Sequence, residues 1–342
     1  MTQMIYENGE EQFFPEPLSK LTKDIIQTNS RLIGKEQARK LVDTYYNIQD
    51  FRKAAANEVR AQEVSQEPHE LHLWIKNAMN TIENNIRKAL EVYTDYEESG
   101  MGLWCKNITG VGPVLAAGML AHVDITKVGC TVNGLWRYAG KDPTVKWYSR
   151  IEAQSIVKEA EIGNNLDESI ITRFAEIVGK NPDGLITWAK KYSTGKKITS
   201  TSLVKALARR PYNLSFKTLT FKVADCFIKF SNNPDCHYGH LYAMKKLYYR
   251  QKNEKGLFKE RAAEILLTKK FSHSTESYKA YIKGYLPDGH IHMMANRWIS
   301  KLFMAHFFEE SYRRNFQKEP PALYPIPFPA DAALCIACNR QQ

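Results

Sequence analysis

The sequence predicts an all-α protein, and three observations carry that prediction. Two long stretches in the first hundred residues contain no Gly or Pro and repeat apolar residues at helical spacing. Prolines and glycines stand at the ends of such segments, where they start or stop helices. No stretch is rich in strand-forming residues, and there is no internal repeat. The 342 residues, 43% hydrophobic and 25% charged, are ordinary for a globular protein and enough for two or three packed units.

In chain order, a short acidic tail precedes a helix over 35–62 (KEQARKLVDTYYNIQDFRKAAANEVRAQ). SQEP at 65–68 breaks it, and a second helix follows over about 69–97. Leu71, Leu73, Trp74, Ile75, Met79, Ile82, Ile86, Leu90 and Tyr93 form its broad stripe, assigned to core or partner contacts. These two make an antiparallel pair. A short helix through Leu103, Trp104 and Cys105 ends near Asn107, an Ile-Thr-Gly-Val-Gly turn follows, and a helix starts at Pro113. TVNGLWRYAG supplies a helix ending at Gly140. Short helices fill 152–210, broken at EIGNNLDESI and GKNPDGL. KTLTFKVADCFIKF and HLYAMKKLYYRQKN read as helices, the second basic and aromatic, and a long helix covers about 291–316. The Pro-rich end is expected to be an extended strap. The organisation read from this is a helical hairpin over 1–100, a helix-hairpin-helix unit over 101–150, an inserted helical segment over 151–210, a C-terminal helical region over 211–318 and a tail over 319–342.

Charge is unevenly placed. Residues 1–100 hold 12 Lys and Arg against 17 Asp and Glu, and the rest holds 36 against 20, a balance of +16. A basic excess confined to the part that begins with the Gly-Val-Gly turn suits a polyanion. No apolar run reaches the length of a membrane helix, and the acidic start is no signal peptide. Six scattered cysteines suit a reducing interior, so a cytoplasmic protein without membrane contact is expected.

The stretch NITGVGPVLAAGML, 107–120, holds the strongest motif. Ile108 precedes Gly110-Val111-Gly112, Pro113 opens a helix, and Ala116, Ala117 and Gly118 give that helix a small face. This is the helix-hairpin-helix pattern, which meets nucleic acid through main-chain N–H groups on phosphate with little regard for sequence. Lys106, Asn107, Thr109, Gly110, Val111, Gly112, Lys127, Arg137 and Lys141 are the expected DNA-binding residues. The alternative is a turn packed for structure alone.

ITGVGPVLAAGMLAHVDI, WRYAGKDPTVKW and the basic helix YNLSFKTLTFKVAD together resemble the C-terminal domain of the DEDD-type insertion-sequence transposases. The resemblance covers about 101–230. It implies a DNA-binding protein of transposase descent, active in transposition, recombination or mobile-element and phage biology. The partner it implies is DNA, with a guide RNA or a second protein also in view and homo-oligomers through the N-terminal helices. Two departures stand out. Residues 1–100 read as helical throughout and replace the family's ribonuclease-H-like domain with its four acidic residues. No Ser-Gly follows Tyr138-Ala139-Gly140; Ser200 and Ser202 are the nearest serines and read as helix N-caps. Autonomous strand transfer is therefore not expected, and whether the chain is an enzyme stays open, as do its cofactors.

A second class is a base-processing enzyme, since glycosylases and base-modifying enzymes use this hairpin to grip DNA while a base is flipped out. Bifunctional glycosylases place Lys just after the Gly-x-Gly, where Pro113 and Val114 stand, and Asp124 reads as a cap. Catalytic candidates lie in GHIHMMANRWISKLF. On a helix from near Ile291, His292, Asn296 and Ser300 share one face, Arg297 and Lys301 an adjacent one, and His290 lies at the start. Such a row can read phosphate, exchange protons, or form a polar seam between helices. Cys335 and Cys338, with Cys236, His237 and His240, have zinc-ligand spacing, but no metal is expected there.

Overall fold

A computed structural model describes residues 5–7, 10–12, 22–67, 69–127, 131–144, 147–160, 162, 166–193 and 197–320. The fold is all-α. The described residues form fifteen helices, a three-residue antiparallel ladder, β1 (Ile5–Glu7) with β2 (Glu10–Gln12), in which Tyr6 pairs with Glu11, and a single antiparallel bridge between Leu166 and Ile198. No helix among them is long and apolar enough to cross a membrane. Residues divide into two compact units, 1–132 with 218–342, and 133–217.

In the first unit, α1 (Lys23–Ser30) starts where the Thr22 hydroxyl accepts from Ile25 N–H, a short helix with no sequence stripe to announce it. α2 (Lys35–Ser65) and α3 (Glu70–Asp95) are the expected antiparallel pair. Gln49 and Arg52 of α2 both bond Glu83 of α3, and Gln62 near the end of α2 meets His72 near the start of α3. The stripe on α3 buries Leu90 and Tyr93, but Leu71 and Trp74 are 68% and 67% exposed, so its first turns carry no core. α4 (Met101–Lys106) and α5 (Pro113–His122) follow, and α5 packs against α2, α3 and α4. Every residue of α5 from Val114 to His122 is buried, as befits a helix apolar on all sides.

In the second unit, α6 (Val132–Tyr138) leads to Gly140, whose φ of 61° ends the helix left-handed. A Cβ there would lie 2.9 Å from the Tyr212 ring, and Tyr138 packs on Phe216 at 5.1 Å. Tyr138-Ala139-Gly140 is thus a packing motif of this unit. α7 (Arg150–Glu159), α8 (Glu168–Ile177), α9 (Pro182–Tyr192) and α10 (Ser200–Leu207) are the expected short helices, around Ile171, Phe174, Ala189 and Leu203. Thr199, not Ser200 or Ser202, is the N-cap of α10: its hydroxyl accepts from Ser202 N–H at 3.2 Å, and Ser202 occupies the third helical position.

α11 (Leu214–Lys229) runs into the first unit, where α12 (His237–Glu254), α13 (Lys259–Thr268), α14 (Glu276–Ile282) and α15 (Asp288–Phe316) complete the chain. α12 and α15 are antiparallel, since Arg250 pairs with Asp288, Tyr242 with His292 and Tyr238 with His306. Their core is aromatic. Phe227 stacks on Tyr238 at 4.6 Å, both meet Phe303 edge-on, and Trp104 of α4 stacks on Phe303.

Candidate nucleic-acid interface

The Gly-Val-Gly turn joins α4 to α5 within the first unit. α4 ends in a tight turn, with Ile108 N–H donating to Cys105 C=O and Val111 N–H to Ile108 C=O at 2.9 Å. Val111 is 4% exposed and its N–H is used inside the turn, so its expected role as a phosphate donor gives way to a packing role. Gly110 has φ 99°, a conformation that L side chains rarely adopt, and a Cβ on it would sit 3.1 Å from the Phe227 ring. The Cys236 thiol donates to Thr109 C=O at 3.6 Å, tying the turn to the start of α12.

Gly112 is different. It is the N-cap of α5 with φ −83°, a value any residue adopts, it is exposed, and a Cβ there would meet nothing within 4 Å. Pro113, in the first turn, has no N–H to satisfy, and Ala116 N–H closes the first helical bond on Gly112 C=O. The small face behind is explained by packing: a Cβ on Gly118 would lie 2.8 Å from Leu219 of α11.

The expected basic partners are unequal. Lys106 is held by Asp95 and Glu91 at the end of α3, with its side chain 21% exposed. Asn107 and Lys127 are exposed. Arg137 and Lys141 belong to the second unit. Arg137 pairs with Asp142 at 2.8 Å, and that hydrogen bond, with those from Thr144, holds the Asp142 carboxyl down at about 2. Lys141 is 7% exposed. Asp124 accepts from Thr126 N–H and hydroxyl in the turn after α5 and pairs with Lys35 at 3.6 Å.

The row on α15 is mostly satisfied. His292 Nδ1 meets the Tyr242 hydroxyl at 2.6 Å, Ser300 Oγ donates to Thr220 C=O, and His290 Nδ1 meets the Tyr281 hydroxyl at 3.0 Å. Asn296 is 1% exposed, and its Nδ2 has no hydrogen-bond partner. Arg297 is exposed. Cys236 is fully buried, and the described residues contain no group of three or more His, Cys, Asp and Glu arranged for a metal ion. Cys335 and Cys338 lie outside the described residues.

No family model, characterised protein or solved structure matches this chain.

Several residues escaped the sequence reading. Lys245, 6% exposed, lies 4.6 Å over Tyr248, 5.0 Å over Tyr249 and 5.1 Å over Trp298, and burial pushes its ammonium down. His306, buried and bonded to Tyr238, is a third Tyr–His pair. Arg261 and Lys269 of α13 act on His290 through their charge. The basic, aromatic run HLYAMKKLYYRQKN was the one signal that could have pointed to this region.

Proposed function

We propose that this chain is a DNA-binding protein of transposase descent that grips the phosphate backbone through the turn at 107–112. The observation that carries this reading is the contrast between the two glycines of the turn. Gly110 is required by backbone conformation and by Phe227. Gly112 is required by neither, yet it stands at the exposed mouth of a helix that is buried from Val114 to His122. A position with open space and an ordinary φ tolerates a side chain. Its absence suits the close approach of something outside the chain, and the first N–H groups of α5 suit an anion. The +16 balance of residues 101–342 supports the same partner. The free thiols of Cys105, Cys226 and Cys236 support a reducing, cytoplasmic setting.

Gly112→Asp tests the proposal. Asp is the better N-cap and favours the helix dipole, so the variant should fold with an unchanged or higher Tm. The added carboxylate faces the phosphate, so affinity for duplex DNA of unrelated sequences should fall by roughly tenfold or more, equivalent to about 1.4 kcal/mol. Gly110→Ala should instead lose Tm, and binding should fall only with the folded fraction. A folded Gly112→Asp protein with wild-type affinity would overturn the reading.

A further inference from the structure

The cations of the α12–α15 region are not all treated alike. Residues 245–301 hold 13 Lys and Arg against 5 Asp and Glu. Lys246 and Arg250 share Asp288 at 2.9 and 2.7 Å, and Lys279 has Glu276 at 2.7 Å. Arg261, Lys269 and Arg297 are exposed, and among the described residues none forms an ion pair. They are nonetheless gathered. Arg261, Ile265 and Lys269 recur every four residues along one face of α13 and its C-cap, and Ile265 packs into the small core of Ala262, Tyr281, Leu286 and Ile291. His290 and Arg297, seven apart, share a face of α15 next to Ile291. Burial, followed by the charges of Arg261, Lys269 and Arg297, pushes the His290 imidazole towards its neutral form. Arg261 and Arg297 also act on Tyr249, and Arg261 on Tyr281.

We infer that Arg261, Lys269, Arg297 and His290 form a binding site for a phosphate group. Three like charges around one imidazole repel one another, and a bound phosphate would supply the missing counter-charge. Two guanidinium forks match phosphate oxygens, and a lysine adds a point charge. A neutral His290 that accepts at Nδ1 from the Tyr281 hydroxyl carries its proton on Nε2, which is then a donor for a phosphate oxygen. The phosphate can belong to a nucleic-acid strand or to a free phosphomonoester. The site is separate from the Gly-Val-Gly turn and does not depend on it.

The test uses the full chain and titrates inorganic phosphate by calorimetry at constant ionic strength, with Tm followed in parallel. Wild type should bind saturably and gain Tm with phosphate. The Arg261→Gln/Arg297→Gln variant should fold, because both side chains are exposed, and should lose roughly tenfold or more in affinity. A Lys255→Gln/Lys283→Gln control removes the same charge elsewhere and should bind phosphate as wild type does. One oligonucleotide with and without a 5′-phosphate then separates the sources. A preference for the phosphorylated form that vanishes in Arg261→Gln/Arg297→Gln assigns a terminal monoester, and equal binding of both, weakened in that variant, assigns backbone diesters. Absence of saturable binding in wild type, binding unaffected by Arg261→Gln/Arg297→Gln, or an equal loss in the lysine control would each overturn the inference.

Discussion

Two buried histidines show how burial alone sets chemistry at the scale of a residue. His306 sits among Tyr238 and the phenylalanines of α15, and burial, with His237 and Arg313 adding positive charge, pushes it down to about 4. His122, at the end of α5, is pushed down to about 4 by burial and by Arg39. Both are held neutral in the folded protein, while the unfolded chain takes up protons below about pH 6.5. Stability is therefore full above pH 6.5 and drains away as pH falls from there towards 4, by at most about 1.4 kcal/mol per pH unit for each group. Tm measured from pH 7 to 4 should fall over that window, and His306→Gln should flatten the fall. An unchanged slope would remove His306 from the account. Glycine makes the same point through shape: a Cβ on Gly102 would lie 1.9 Å from Thr94 C=O, so α4 can cross the end of α3 only there.

At the scale of elements, one polar cluster holds the register of the α2–α3 pair. Glu83 is 8% exposed. Burial pulls its pKa up, but hydrogen bonds from Arg52 at 2.5 Å, from Gln49 and from Tyr45 outweigh that and hold it below the usual carboxylate range. Removing one partner of such a pair leaves a charge half-stranded, whereas replacing both with apolar groups can restore packing. Arg52→Ala should therefore destabilise the protein by about 2 kcal/mol in denaturant unfolding. Arg52→Leu/Glu83→Leu should recover much of that loss. A double variant weaker than Arg52→Ala would show that the pair contributes beyond mutual neutralisation.

Across the whole molecule, the basic excess and its local pairing decide how binding responds to salt. A lysine already held by carboxylates releases little on meeting a phosphate, while an exposed one contributes a full charge. Lys127→Ala should lower the slope of log affinity for DNA against log salt by about one. Lys106→Ala should change it less, because Asp95 and Glu91 hold that ammonium. The sequence alone expects the two to behave alike. A salt titration of both variants that shows equal changes would mean that Lys106 leaves its carboxylates on binding.

Local signals sufficed for the fold class and most helices. Unbroken apolar spacing announced a helix over 35–62, where α2 runs on to Ser65, and one over about 69–97, where α3 covers Glu70–Asp95, and Pro113 and Gly140 marked a start and an end where they were expected. Helices with no stripe of their own, α1, α13 and α14, were not legible, because packing against neighbours rather than intrinsic pattern stabilises short helices. The turn at 107–112 and the row His290, His292, Asn296 and Arg297 could be read as motifs. Their partners could not: Phe227 behind Gly110, Tyr281 on His290, and Arg261 and Lys269 on α13 stand from 9 to 117 residues away in sequence. The sequence by itself determined where chains of backbone hydrogen bonds close, because those bonds span four residues. Only the tertiary structure decided which glycine is needed by the core and which stands open, and which cations find a carboxylate. Burial and charge pairing depend on groups that the chain brings together only when it folds.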